Sequence, residues 1–221
     1  MRPRAVTRQA LPPETLCLTS LPGAIFTLTA ILRKDPGHHQ GRPRPVRGTT
    51  RKGRDTMTDR ILTAAPLTAE AFHPFGDVID TQRAPDKIIN QGMCDRYTDL
   101  AKLDFSDGRA GISLFDAKAR HLPYTVDLLE RHPDGSQAFI PITPTRFLVI
   151  VAPDAGGMPG AAQAFLTAPG QGVNLHRGVW HGVLAPFEAP GLFAVIDRIG
   201  TGPNLQEHPL QTPYIVDAVA G

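Results

Sequence analysis

Short segments with the composition of β-strands follow one another through residues 124–198, and this pattern limits the fold more than any other feature. Each segment has four to eight residues, is rich in branched or aromatic side chains, and is bounded by proline or glycine. These predicted strands cover residues 124–131, 137–141, 146–152, 163–166, 173–176, 179–184 and 192–198. Long stretches with helical periodicity are absent from the sequence. The pattern therefore predicts an all-β sandwich or closed barrel, whose mouth would bind a small ligand.

Fewer helices and strands are predicted in the segment that precedes residue 124. Thr68 is expected to cap a short helix over residues 69–75. Short strands are predicted at residues 77–80, 87–90 and 111–117. The whole fold is thus expected to be mainly β, with a few short helices.

The charge of the chain divides it into two unlike parts. Residues 1–56 carry 11 Lys/Arg and 3 Asp/Glu, a net charge of +8, whereas residues 57–221 carry 12 and 18, a net charge of −6. The small total charge of +2 is therefore an average of two different segments, and it does not indicate nucleic-acid binding. Residues 57–221 have the length of one domain with its own core.

Residues 1–56 form a basic extension rich in proline and arginine, and two interpretations of it remain open. A basic start followed by an apolar run over residues 16–32 resembles a targeting segment. Pro22 and Gly23 interrupt that run, so no membrane span is predicted. We favour the alternative, in which translation starts at Met57 and the extension comes from an upstream start; if it is made, we expect it to be disordered.

The cysteine content predicts a reducing compartment. The chain has two cysteines, Cys17 and Cys94, and only Cys94 lies in residues 57–221. An internal disulfide in that domain is therefore excluded, and the predicted location is the cytoplasm.

A glycine-rich segment, residues 169–182, contains the first group of candidate functional residues. His176 and His181 lie five residues apart, and Trp180, the single tryptophan, stands beside the second histidine. If residues 172–176 form a strand, Asn174 and His176 share one face. Such histidines on a rigid β scaffold indicate a polar pocket, but they are equally typical of hydrogen-bonded side chains in a packed sheet.

A second polar group lies in residues 130–141. Glu130 and His132 are two residues apart, and a Pro-Asp-Gly turn separates them from Gln137. A hairpin at this turn is expected to bring the three side chains together, and all three can bind a metal ion. The alternative is that Glu130 and Arg131 only form surface ion pairs at the end of a strand.

The two groups resemble the paired motifs of cupin barrels. Glu130-x-His132 with Gln137 resembles the first motif, H-x-H followed by Glu, in altered form. His176-x-Gly178-x-x-His181 resembles the second motif, P-x-G-x-x-H, with a histidine in place of the proline. This mapping assigns Glu130, His132, Gln137 and His181 to the metal-ligand positions. The glutamate in place of the first histidine and the glutamine in place of the acid would weaken an ordinary divalent site.

Longer segments resemble the ureidoglycolate lyase family of allantoin catabolism. They are AFHPFGDVID, INQG followed by Arg96-Tyr97, ERHPDGSQAFIP, GVNLHRGVWHG and the IDR of residues 196–198. The resemblance extends from about Leu62 to about Pro209. It implies a cupin-like double-stranded β-helix barrel, a homodimer, cleavage of ureidoglycolate to glyoxylate and urea, and a divalent metal, nickel in the family, without an organic cofactor. A small-molecule substrate is expected, and neither nucleic acid nor a membrane.

The chemistry of ureidoglycolate assigns expected roles. Cleavage needs a group that takes the hydroxyl proton and a group that protonates the departing urea nitrogen. We expect His132 and His181 to polarise the substrate or bind the metal, and His176 or Glu130 to transfer the proton. Arginine matches a carboxylate with two hydrogen bonds, so Arg198 is the first candidate for the substrate carboxylate. The other predicted substrate-binding residues are Arg96, Lys118, Gln137 and Asn174.

Three alternatives accompany these predictions. Asp197 and Arg198 could form a structural ion pair at the barrel rim rather than part of the site. The chain could be a metal-dependent cupin enzyme of another class, although Glu130 and Gln137 disfavour this. It could also be a non-catalytic barrel that senses a small carboxylate, because one fold hosts many functions.

Overall fold

The computed structural model describes residues 60–220, whose regular secondary structure is almost entirely β-strand. One short helix, α1 (Ala69–Phe72), begins at Thr68, whose side-chain oxygen accepts a hydrogen bond from the Ala71 backbone. The strands are β1 (Ile61–Pro66), β2 (Gly76–Ile79), β3 (Lys87–Ile89), β4 (Cys94–Arg96), β5 (Arg109–Ala117), β6 (Tyr124–Arg131), β7 (Gln137–Pro141), β8 (Phe147–Ala152), β9 (Gln163–Leu166), β10 (Gly172–Leu175), β11 (Trp180–His181), β12 (Ala185–Pro186), β13 (Gly191–Ile199) and β14 (Gln206–Val219).

The larger sheet has seven strands and closes on itself. Its order is β11-β6-β14-β1-β9-β8-β12, and β11 pairs with β8 as well as with β6. The two residues of β11 therefore complete a ring of six strands, which makes the sheet a closed barrel. Closure leaves few free strand edges in this part of the molecule.

The smaller sheet has five strands in the order β2-β10-β7-β13-β5 and packs over one wall of the ring. Its neighbouring strands are all antiparallel. The strands β3 and β4 form a separate two-stranded hairpin.

Two hydrophobic cores share strand β8. Leu148, Ile150 and Ala152 point into the core inside the ring, where Trp180 also lies. The alternate residues of β8 point into the core between the two sheets, together with Phe139. Every residue of β8 is buried, as expected of a strand covered on both faces.

The predicted all-β, cupin-like fold is confirmed, with one correction to its topology. The predicted hairpin between residues 130 and 137 is wrong, because β6 belongs to the seven-stranded sheet and β7 to the five-stranded sheet. The Pro-Asp-Gly turn instead carries the chain from one wall to the other. Gly135 lies at this crossing, where a Cβ atom would come within 2.7 Å of the Arg198 side chain.

The terminal strands β1 and β14 were missed by the sequence prediction, although they complete the ring. The predicted domain boundary at Met57 and the extension before it lie outside the described residues. No helix within residues 60–220 is long and apolar enough to cross a membrane.

Candidate active site and metal centre

Strand β11 fixes His181 by its backbone on both sides. His181 pairs with Glu130 on β6 and with Val151 on β8. The preceding residue, Trp180, points the opposite way into the core and is only 3% exposed. The prediction that Trp180 belongs to the core is therefore confirmed, and alternation along the strand turns His181 toward the space between the sheets.

Glu130, His132 and His181 form a compact group. One donor atom from each side chain lies within 4.8 Å of those of the other two. The imidazole rings of the two histidines are 5.3 Å apart between centroids, and His181 Nδ1 is 3.9 Å from a Glu130 oxygen. The Gly178 backbone N–H donates to the His132 carbonyl at 2.9 Å, which ties the loop after β6 to the segment that carries His181.

Backbone carbonyls set the tautomer of both histidines. His132 Nδ1 is 2.6 Å from the Asn204 carbonyl oxygen, and His181 Nδ1 is 3.1 Å from the Gly182 carbonyl oxygen. Because a carbonyl only accepts, each Nδ1 carries the proton, and each Nε2 presents a lone pair. Both Nε2 atoms are buried without a hydrogen-bond partner among the described residues.

Burial controls the protonation of this group. The pKa of His181 is lowered to about 4, mainly by desolvation and also by the nearby His132, against the opposing effect of the Gly182 carbonyl. The imidazole of His181 is therefore neutral near pH 7. Desolvation also raises the pKa of Glu130, although His132 partly opposes that rise.

A cavity of about 380 Å³ opens beside the group. Glu130 and Gln137 line it together with apolar side chains from β7 and from the segment after β11. Gln137 is buried, and its Oε1 atom has no hydrogen-bond partner among the described residues. The structure thus groups Glu130 with His132 and His181, and Glu130 shares with Gln137 the lining of a cavity large enough for a small molecule.

His176 and Asn174 lie elsewhere. Both side chains contact Asp77, with His176 Nε2 3.4 Å from one carboxylate oxygen and Asn174 Nδ2 2.9 Å from the other. Val173 and Leu175, the neighbours of Asn174, point into the core between the sheets. Asn174 and His176 therefore share the outer face of β10, and the two histidines of residues 169–182 belong to different sites.

The three predicted carboxylate-binding residues are also outside the cavity lining. Arg198 is buried and paired with Asp107, and it also donates to the Thr201 carbonyl. Arg96 is exposed on the separate hairpin of β3 and β4. Lys118 is exposed just after β5.

Comparisons with known proteins agree with this architecture. Residues 59–217 match the family model described as ureidoglycolate lyase. The chain belongs to the ureidoglycolate lyase family.

Individual relatives extend this match over nearly their full length. A ureidoglycolate lyase of Rhodobacter capsulatus is 63% identical over 157 residues, which cover 71% of this chain and 98% of the relative. A second relative, "Ureidoglycolate lyase 2" of Rhizobium meliloti, is 49% identical over 71% of this chain and 97% of its own length. A ureidoglycolate lyase of Pseudomonas syringae pv. tomato is 47% identical over 67% of this chain and 89% of its own length.

The sequence analysis of this ureidoglycolate lyase family member did not assign Arg120 or Asp197 to the candidate site. Arg120 lines the same cavity as Glu130 and Gln137. Asp197 was considered only as an ion-pair partner of Arg198, but it lies close enough to His132 and Gln137 for both to influence its pKa. Alternation within 192–198 could have separated Asp197 from Arg198. The sequence offers no comparable pattern for Arg120, which lies in a loop.

The donor atoms of this family member fit a divalent metal ion. Two imidazole Nε2 atoms and the Gln137 oxygen are acceptors without donors in the described structure. Unpartnered buried acceptors are uncommon and need an explanation. A histidine that donates through Nδ1 to a backbone carbonyl and leaves Nε2 free has the usual arrangement of a metal ligand.

Proposed function

We propose that this chain cleaves ureidoglycolate into glyoxylate and urea. The observation that carries the proposal is the carboxylate of Glu130 at the cavity, next to two histidines held in one tautomer. Ureidoglycolate is a carboxylate whose neighbouring carbon bears a hydroxyl and a ureido nitrogen. That carbon must lose its bond to nitrogen while its hydroxyl becomes a carbonyl.

Glu130 is the proposed proton carrier. Its carboxylate takes the proton from the substrate hydroxyl as the carbonyl forms and the carbon–nitrogen bond breaks. The same proton then passes to the departing nitrogen, which leaves as urea. Donor and acceptor sit on one carbon, so a single carboxylate reaches both, and no water is consumed. His176 is not needed for this transfer, since it contacts Asp77 on the outer face of β10.

A divalent ion, nickel by resemblance to the family, is part of the proposal. His132, His181 and Gln137 would hold it, with Glu130 at its edge. When bound, such an ion acts as a Lewis acid that favours loss of the hydroxyl proton. The chain's own contribution is to exclude water: His181 is almost fully buried, and the apolar side chains Phe139, Val183 and Leu184 line the cavity.

Arg120 is the proposed partner of the substrate carboxylate. It lines the same cavity as Glu130, and no ion pair of its side chain is found among residues 60–220. A guanidinium can bind a carboxylate through two parallel hydrogen bonds. Arg198, in contrast, already has Asp107 as its partner.

We further propose a homodimer that forms through the outer face of strand β5. This strand is at the edge of the five-stranded sheet, and its side chains Ile112 and Leu114 are 78% and 67% exposed. Their partners on β13, Ile196 and Ala194, continue the apolar surface. A second copy would cover both the edge and the surface. The proposed location is the cytoplasm, where the free Cys94 would stay reduced.

Turnover measurements test the proposed activity. The full chain, with its metal content measured, is incubated with ureidoglycolate, and urea, glyoxylate and ammonia are followed separately. Equal release of urea and glyoxylate without ammonia is the expected result. Release of ammonia would demand hydrolysis instead, and binding without turnover would indicate a sensor of small carboxylates.

A further inference from the structure

The loop that joins β13 to β14 lies against the turn that carries His132. The Asn204 backbone carbonyl accepts a hydrogen bond from His132 Nδ1 at 2.6 Å. The side-chain oxygen of the same residue accepts a hydrogen bond from the Asp134 backbone N–H at 2.7 Å. Asn204 therefore contacts the turn twice, once at the histidine ring and once at the backbone two residues further on.

The two contacts of Asn204 support each other. The ring of His132 can rotate about its side-chain bonds, and a hydrogen bond to a loop carbonyl fixes it only while that carbonyl stays in place. The Asn204 side chain supplies this constraint, because it ties the same loop to the backbone of the turn at Asp134. Asparagine side chains commonly satisfy backbone groups of turns in this way.

Arg198 fixes the start of the same loop. Its buried guanidinium donates to the Thr201 carbonyl at 2.9 Å and pairs with Asp107. The guanidinium packs so closely on Gly200 that a Cβ atom at that residue would lie 2.6 Å from it. The contacts of Arg198 thus hold residues 200–204 against the turn, and they give this arginine a task that does not involve the substrate.

The segment before β5 holds the turn from another side. The Ser106 backbone N–H donates to the Asp134 carbonyl at 2.9 Å, and the Ser136 backbone N–H donates to the Asp104 carbonyl at 2.8 Å. The backbone next to His132 is therefore fixed by two separate segments of the chain. The orientation of the His132 ring is then set by the loop that carries Asn204.

The competing explanation is that Asn204 only stabilises the turn. Such a role would require the contact at Asp134 but would have no effect on the proton of the His132 ring. The contact at Nδ1 has such an effect, since it places the proton on Nδ1 and leaves a lone pair on Nε2. That Nε2 atom is buried without a hydrogen-bond partner among the described residues. A carbonyl at the second ring nitrogen is the usual outer partner of a metal-binding histidine.

We propose that Asn204 is a positioning residue, which holds the ring of His132 with its proton on Nδ1 and its lone pair on Nε2. The inference rests on the role of His132 in the proposed function, but its test needs neither substrate nor metal. The full chain is labelled with ¹⁵N in its histidine rings, stripped with a chelator, and studied by NMR at about pH 8, where an ordinary histidine is neutral. The ¹⁵N shifts show which ring nitrogen carries the proton, and His132→Gln identifies the signals of His132.

The wild-type chain should show His132 with its proton on Nδ1. Asn204→Ala should show a mixture of both tautomers at His132, with unchanged signals at His181, which has its own carbonyl partner. Asn204→Asp keeps an oxygen acceptor in a side chain of the same size and should restore the wild-type signals. Leu205→Ala removes an exposed side chain from the same loop and should match the wild type.

The affinity for Ni²⁺, measured by calorimetry on the stripped chain, is the second readout. Asn204→Ala should bind Ni²⁺ about 10- to 100-fold more weakly than the wild type, which is the usual cost of losing an outer partner of a ligand. Asn204→Asp should recover most of this loss. If the wild-type chain binds no Ni²⁺, the tautomer measurement decides alone.

Three results would overturn the inference. The first is a wild-type His132 with its proton on Nε2, a result that does not depend on whether Asn204→Ala folds. The second is a folded Asn204→Ala with the tautomer of the wild type, and the third is Asn204→Asp with the same mixture as Asn204→Ala. A chain that shows the expected tautomers but releases no urea would contradict the proposed activity alone.

Discussion

The imidazole rings of His132 and His181 lie 5.3 Å apart between centroids, with an angle of 32° between their planes, although the two residues come from different parts of the closed sheet. His132 follows the end of β6, and His181 stands on β11, which closes the sheet. Each ring is fixed by a carbonyl at Nδ1, so neither depends on the other for its orientation. Both Nε2 lone pairs are therefore oriented without any partner in the described structure, as the proposed ion requires.

Replacement of His181 by alanine tests the centre of the proposed site. His181→Ala should lower kcat/KM for urea release at least about 100-fold, because a group at the reacting centre typically contributes that much. The measurement is initial-rate kinetics with Ni²⁺ in excess. His73→Ala, an exposed position at the end of α1, serves as the control and should match the wild type.

His176→Ala completes this comparison. The structure places His176 with Asp77 on the other side of β10, so its loss should reduce kcat/KM much less than the loss of His181. If both histidine variants lost the same large factor, the separation of the two sites would be contradicted.

Arg120→Gln tests the binding of the substrate carboxylate. Loss of a hydrogen bond to a charged group costs about 1.5–3 kcal/mol, so KM should rise roughly 10- to 100-fold. The value of kcat should change less, because Arg120 is not proposed to touch the atoms that react. The KM of Arg120→Lys should lie between those of the wild type and Arg120→Gln, since an ammonium keeps the charge but not the two parallel hydrogen bonds.

Lys118→Gln is the matched comparison for Arg120. Lys118 was selected from the sequence, and it lies exposed outside the cavity lining. A rise in KM for Lys118→Gln with an unchanged KM for Arg120→Gln would reverse the assignment.

Leu114→Asp tests the proposed dimer face. A charge buried without a partner costs several kcal/mol, so this variant should shift the chain from dimer to monomer. Sedimentation velocity at micromolar concentration provides the measurement. Ile88→Asp changes a similarly exposed side chain on the β3–β4 hairpin, 59% exposed, and should leave the dimer intact. A monomeric wild-type chain would contradict the proposal directly.

Asp77→Asn tests the polar cluster on the outer face of β10. Desolvation raises the pKa of Asp77, but hydrogen bonds from Asn174 and from the Lys102 backbone, together with His176, hold the pKa below its usual value of 3.8. A lowered folded-state pKa stabilises the protein above the unfolded-state pKa, and this contribution disappears as the pH falls through the folded-state value.

The expected cost of Asp77→Asn at pH 7 is about 1 kcal/mol in the free energy of unfolding. The difference from the wild type should shrink below pH 4, as the wild-type carboxyl becomes protonated. Denaturant unfolding monitored by the fluorescence of Trp180, the single tryptophan, measures both values. A difference that stays constant down to pH 2 would contradict a role for the charged form.

The all-β character and most central strands could be predicted because their residues alternate or form short buried runs between turns. Strand β14 could not, since Pro209 and Pro213 both disfavour a strand. The ladder of β14 shifts its register between Pro209 and Tyr214, which allows the strand to continue past them. Its partner β1 (Ile61–Pro66) was missed too, because its residues do not alternate between apolar and polar types.

The candidate site could be predicted only in part, because the sequence shows motif spacing but not tertiary contacts. Motif spacing located Glu130, His132 and His181, whose side chains do come together, and Gln137, which lines the same cavity as Glu130. Spacing could not indicate that β10 turns His176 outward while β11 turns His181 inward. Nor could it indicate that Asp107, distant in sequence, takes the guanidinium of Arg198. Both outcomes depend on tertiary contacts that no local pattern encodes.

Strand β11 consists of two residues, and its pairing with both neighbours limits which sequence changes this segment can accept during evolution. A slip of one position would move Trp180 into the cavity and His181 into the apolar interior, because side chains alternate. The number of residues between Gly178 and Gly182 is therefore constrained as tightly as the types of residue that stand there. Insertions and deletions should be tolerated in the exposed 155–158 loop, which lies outside the strands, but not between Gly178 and Gly182.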